Sequence, residues 1–381
     1  MNEMLDVERL VRGAMRHTGL ENFGPAPWRD GLEVLCESLN GESHLNDTGR
    51  VVLAARLGRT LRQRLMATDW FDRHPEIAEV PIDGPLAVTG LPRTGTTALS
   101  NLLGTDPATR APRVWECEQP CPPPDAEVGD ADPRIAECQA GIDALHDIAP
   151  VLRILHDDEA TSVAEHMELL SMTFRTYHYS GLAEVSGYLE WWMAQDARPA
   201  YGFHRLMLQL LGWRWGPSRW HIRNPPDLFA LPALVETYPG VRIVWTHRDP
   251  AAVMASVCEL IAVVREMCSD HVDRHELGRR ELEVWGVAMD RALAARNELS
   301  EDRFVDVWHR EFVADPVTSM AGVYGTVGWK FTPEAETGAR RWVAEHERTK
   351  FGTHDPQLAD FGLDRDQVRE RFAAYCERFE V

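Results

Sequence analysis

The strongest chemical signal in the chain is Gly90-Leu91-Pro92-Arg93-Thr94-Gly95-Thr96-Thr97. It follows a short apolar run, Pro85–Gly90, that predicts a buried strand, and it opens a helical pattern over Thr96–Gly104. A glycine-rich turn between strand and helix presents backbone N–H groups to an anion, and the helix N-terminus adds partial positive charge. Gly90 and Gly95 have the spacing of the two glycines of a phosphate-binding loop, but Thr96 stands where that loop needs lysine. An NTPase or kinase built this way would lack its contact to the β- and γ-phosphates. The cation comes instead from Arg93, whose guanidinium can fork onto two oxygens of a phosphate or sulfonate.

A second signal lies in VRIVWTHRDPAAVMAS, residues 241–256. Val241–Thr246 predicts another buried strand, Asp249 an N-cap, and Pro250 the first turn of an almost wholly apolar helix. Arg248 therefore falls at the C-terminal mouth of a parallel strand, where open α/β sheets bind ligands, and Ser256 falls about two turns into the helix. Taken alone, Arg248 reads more readily as a salt-bridged surface residue than as a ligand contact.

Together the two segments resemble the sulfotransferases that use 3′-phosphoadenosine 5′-phosphosulfate (PAPS). The chain is similar to the bacterial members whose loop reads GLPRTGTT, a group related to the tyrosylprotein sulfotransferases. Val114-Trp115-Glu116, DLFAL (227–231), FVADP (312–316) and DFGL (360–363) add to the likeness. The resemblance implies that Arg93, Thr94, Gly95, Thr96 and Thr97 cradle the 5′-phosphosulfate while Arg248 and Ser256 hold the 3′-phosphate. It implies a metal-free transfer of a sulfuryl group from PAPS to an acceptor hydroxyl. Lys350 and Gly352 resemble the cofactor clamp of related enzymes. Glu116 is at about the position of the tyrosylprotein enzymes' catalytic base, with Asp227, Glu165 and His166 as alternatives. The chain departs from the family at Arg223-Asn224-Pro225-Pro226-Asp227-Leu228, where relatives read KTPxHL. Arg223 replaces a lysine expected to neutralise the leaving phosphate, and Asp227 replaces a histidine. A non-catalytic binder of PAPS or its desulfated product therefore stays open as the alternative, with a P-loop kinase further off.

The elements that must position these residues read as α/β: a P-loop-like parallel sheet covered by helices. Residues 1–80 read as an α-helical extension packed on the core, and 81–381 as the sulfotransferase domain, with a helical C-terminal region. Trp220–Arg223 predicts a third strand, and Cys121–Pro133 an exposed loop. Tyr188, Trp191, Trp192, Tyr201, Phe203, Trp213, Trp215 and Trp220 crowd together, either as the wall of an apolar or lipid-like acceptor's pocket or as core.

Composition narrows the partners. Lys+Arg 40 against Asp+Glu 60 gives −20, which disfavours nucleic acid and anionic membranes. The longest apolar run, Ala251–Val264, is interrupted by Glu259 and is too short to span a bilayer. The opening MNEMLDVERL lacks the pattern of a secretory signal, so a cytoplasmic protein is expected. Seven scattered cysteines suggest neither a disulfide framework nor a metal site.

Overall fold

The computed structural model describes residues 5–25, 27–155, 158–216, 218–346 and 355–381. Five strands form one sheet: β1 (Leu86–Gly90), β2 (Thr109–Arg110), β3 (Arg219–Arg223), β4 (Arg242–His247) and β5 (Phe304–Trp308). Their order is β2-β3-β1-β4-β5, and every neighbouring pair is parallel. Alternation within each strand feeds two cores. Leu86, Val88, Val244, Val305 and Val307 point to one face, against the helix Thr96–Leu103 and the helices Pro316–Val327 and Pro333–Glu345. Ala87, Ile243, Trp245 and Phe304 point to the other, against Arg198–Gly212, Pro250–Cys268 and Arg274–Glu298. A sheet covered on both faces needs strands apolar on both sides, as LAVTG and RIVWT are.

Two strands escape the sequence reading. β2 is only two residues long, and β5 is interrupted by Asp306 within a stretch that reads as helical. β3 starts one residue earlier than predicted, and β4 runs to His247. Among its described residues the N-terminal lead-in holds three α-helices, Val7–Thr18, Arg29–Gly41 and Asp47–Arg73, and the 3₁₀ turn Pro75–Glu79. Asp6 and Asn46 cap the first and third by accepting from the amides of Arg9 and Gly49. Their apolar faces make a separate core that also takes in Phe174, Tyr179 and Tyr188. Arg64, fully buried, ties this layer together by donating to the carbonyls of Phe23 and Pro25 and joins it to the rest by donating to that of Met172. Within the region predicted as loop, Gly129–Ala131 forms a short 3₁₀ turn, while Cys121, Pro123 and Pro124 are buried.

Candidate active site

The loop after β1 is fixed by its own backbone and by β4. Gly90 has φ +143°, and a Cβ there would lie 2.4 Å from Thr246 Oγ1, so only glycine lets the two strand ends approach. Thr94 Oγ1 donates to the Leu91 carbonyl at 2.6 Å and lies 2.5 Å from Thr246 Oγ1. Arg93 itself sits in the left-handed region at φ +67°, a conformation that costs a non-glycine residue about 1 kcal/mol. Gly95, at φ +99°, then starts the helix Thr96–Leu103, whose first amides face the loop.

Strain and charge accumulate at one point. Arg93 Nε donates to Ser256 Oγ at 3.0 Å, its Nη1 reaches the Leu155 carbonyl, and Arg248 Nη1 donates to the Arg93 carbonyl at 2.9 Å. Arg93, Arg248 and Ser256, far apart in sequence, therefore meet. Burial, then the like charge of Arg248, pushes the Arg93 guanidinium below its ordinary range, with Glu165 partly offsetting both. Two cations pressed together beside a helix N-terminus suit an anion.

Thr97 and Arg93 line a cavity of about 800 Å³ that follows one side of the loop helix past Asn101. Behind Thr97 lies Arg223, fully buried at the end of β3. Its Nη1 donates to Thr97 Oγ1 and lies 3.3 Å from Glu165 Oε1, and its Nη2 donates to the Val163 carbonyl at 2.8 Å. Glu165 pairs in a parallel bridge with Arg223, and its side chain stays 17% exposed.

The other base candidates are enclosed. Glu116 lines the cavity but is only 1% exposed. Its Oε2 accepts from Arg110 Nη1 at 2.9 Å and from the Arg113 amide at 2.8 Å, and its Oε1 accepts from Arg110 Nη2. Arg113 leads into the short helix Val114–Glu118, which that carboxylate caps. Asp227 and His166 are fully buried. Asp227 Oδ1 accepts from Tyr201 Oη and Asn224 Nδ2, both at 2.7 Å, and lies 3.0 Å from His166 Nε2. This network braces the turn after β3.

The crowded aromatics divide unevenly. Tyr188, Tyr201, Phe203 and Trp220 are buried, and Trp191, Trp192 and Trp213 pack against the cores. Of the group, Trp215 lines the cavity, its ring 4.3 Å from the Arg110 guanidinium. Thr246 and Arg110 were missed by sequence reading. A threonine at a strand end and an arginine in a two-residue strand carry no motif of their own. Lys350 and Gly352 lie outside the described residues. Among the described residues no group of His, Cys, Asp and Glu is placed to hold a metal, and no helix is long and apolar enough to cross a membrane.

The pattern of the Sulfotransferase family matches residues 85–333. The structure is similar to sulfotransferase STF1 from Mycobacterium tuberculosis, with 34% identity and a TM-score of 0.88 over 98% of this chain and 100% of that one. It is similar to sulfotransferase STF9 from Mycobacterium avium, with 27% identity and a TM-score of 0.91 over 100% of this chain and 98% of that one. No curated protein matches the chain in sequence. With its loop, its parallel sheet and these matches, the chain belongs to the sulfotransferase family.

Proposed function

We propose that the protein transfers a sulfuryl group from PAPS to the hydroxyl of a largely apolar small molecule. The observation that carries this reading is the meeting of Arg93, Arg248 and Ser256 at the mouth of the loop helix. Two adjoining cations, one from the loop and one from the end of β4, suit a ligand with phosphate groups at both its 5′ and 3′ positions, and a loop without the P-loop lysine suits a transfer that needs no Mg²⁺. PAPS, when bound, supplies an activated sulfuryl group on a phosphosulfate anhydride.

The protein's part is binding, orientation and charge. Loop amides, Thr96 and Thr97 hold the 5′ end, and Arg93 with Arg223 faces the negative charge that grows on the leaving phosphate. Arg248 and Ser256 hold the 3′-phosphate. Trp115, Trp215, Trp342 and Ile135 offer the apolar surface of the cavity to the acceptor.

The acceptor hydroxyl must lose its proton as it attacks, to a base within hydrogen-bond reach. Glu116 is poorly arranged for this, since Arg110 and the Arg113 amide already occupy both its oxygens. Glu165 suits it better: one oxygen lies at 3.3 Å from Arg223 Nη1, the nitrogen that also meets Thr97, and the side chain stays 17% exposed. In this reading Glu165 takes the proton, and Glu116 holds Arg110 and the cavity wall in place. A panel of hydroxyl acceptors incubated with labelled PAPS, read by mass spectrometry for an added sulfonate, tests the activity. Transfer to apolar alcohols or phenols supports it, and bisphosphate binding with no transfer across the panel leaves a binder instead.

A further inference from the structure

The last stretch of the chain lies beyond the region matched by the family pattern, which ends at residue 333. From residue 355 it forms a 3₁₀ turn, Leu358–Phe361, and two short helices, Arg365–Arg371 and Ala373–Phe379. Phe361, Val368, Phe372 and Tyr375 are buried in the same core as Leu277 and Trp285. This module grips three consecutive residues at the end of β4. Phe379 stacks on the His247 ring, with centroids 4.0 Å apart. Tyr375 Oη accepts the Arg248 amide at 3.2 Å. Arg365 and Arg369 donate to the two oxygens of Asp249 at 2.7 and 2.9 Å, the carboxylate whose Oδ1 also caps the helix Pro250–Cys268 through the Ala251 amide. Trp308 at the end of β5 closes the arrangement, its Nε1 donating to the Phe379 carbonyl at 2.9 Å.

Arg248 is thus held from two sides. Its amide is tied to Tyr375, and its guanidinium is tied to the Arg93 carbonyl. A hydrogen bond to a backbone amide fixes where the Cα, and hence the whole side chain, emerges. A guanidinium fixed before the ligand arrives loses less freedom on binding. We propose that the C-terminal module is part of the nucleotide site, with Tyr375 as a positioning residue that sets Arg248 for a 3′-phosphate. This rests on the reading that Arg248 contacts that phosphate. The ligand class recognised through Tyr375 is therefore a nucleotide phosphorylated at the 3′ position, and ligands lacking that group are insensitive to it.

Titration calorimetry of the full-length protein tests this with two ligands, adenosine 3′,5′-bisphosphate and adenosine 5′-phosphosulfate. Tyr375→Phe keeps the buried ring and removes only the acceptor. It is expected to weaken the bisphosphate about fivefold, the effect of one lost hydrogen bond, with the phosphosulfate changed less than about twofold. Arg369→Met, which takes one of the two arginines from Asp249 without touching the core, gives a smaller split in the same direction. Wild-type bisphosphate affinity in both variants, or equal weakening of both ligands, overturns the proposal. A wild type that does not bind the bisphosphate sinks the PAPS reading itself, before either variant is compared.

Discussion

Arg93, in the loop after β1, and Arg296, on the helix Arg274–Glu298, are charges the fold treats in opposite ways. Burial works against the charge at both. At Arg296 the answer is complete: Asp306 accepts a two-pronged hydrogen bond at 2.7 and 2.8 Å, Glu301 accepts from Nε at 3.1 Å, and the guanidinium ends well above its ordinary pKa. At Arg93 the neighbour is another arginine, the backbone is left-handed, and the pKa falls. One cation belongs to the fold. The other is held at some cost, and the natural use of such a cation is to meet an anion that comes from outside.

The largest effect that sharpens this contrast is on stability. Arg296→Met takes the two-pronged donor from the Asp306 carboxylate, 22% exposed, and leaves it His247, a loss of about 3 kcal/mol, as for two hydrogen bonds to a charged group. Urea unfolding reads this directly, and bisphosphate affinity of the protein that remains folded stays at the wild-type value. Next comes catalysis. Glu165→Gln is expected to lower kcat by at least ~100-fold with bisphosphate affinity unchanged, whereas Glu116→Gln shifts the unfolding midpoint because Arg110 loses its partner. The opposite pattern, with Glu116→Gln inactive but stable, returns the proton to Glu116.

Arg93→Ala follows, with bisphosphate affinity falling by roughly two orders of magnitude and the unfolding midpoint unchanged or raised, since a poorly compensated charge is removed. Arg248→Ala loses about one to two orders for the bisphosphate and little for adenosine 5′-phosphosulfate. A large destabilisation by Arg93→Ala would break the comparison, because Arg93 would then be as structural as Arg296.

The smallest effect is in acid. Burial alone would raise the Asp306 carboxyl, but hydrogen bonds from Arg296 and His247 outweigh it and hold the carboxyl well below its ordinary 3.8. A depressed carboxyl contributes stability that is present above the unfolded value and lost as pH falls below it. Wild-type unfolding free energy therefore declines below about pH 4, and Asp306→Asn makes that decline shallower. Equal slopes in the two proteins would remove Asp306 from the account.

Much of this architecture was legible because its signals are local. β1 and β4 are apolar on both faces, and Gly90, Arg93 and Gly95 lie within six residues of one another. Arg248 and Ser256 were readable for the same reason: a strand end, an N-cap and a helix follow each other without a break. What stayed hidden depends on contacts across the fold. β5 is disguised by Asp306, whose partners Arg296 and His247 lie on different elements. Glu116 looks like a free carboxylate in sequence, and only the turn from β2 into the next helix folds Arg110 back onto it. Glu165 is 58 positions from Arg223, so no spacing rule joins them. The aromatics of 188–220 mark a hydrophobic region correctly, but composition does not separate core from cavity wall, and only Trp215 of that group reaches the cavity.

The central claim is that the loop and the end of β4 form one site for a nucleotide carrying both 5′ and 3′ phosphates. Calorimetric titration of the wild type with adenosine 3′,5′-bisphosphate, AMP and ATP, each with a chelator and then with added Mg²⁺, tests it most directly. Binding of the bisphosphate without Mg²⁺, at least ~100-fold tighter than either other nucleotide, is the predicted result. Tight Mg²⁺-dependent binding of ATP, with the bisphosphate bound weakly, would contradict it.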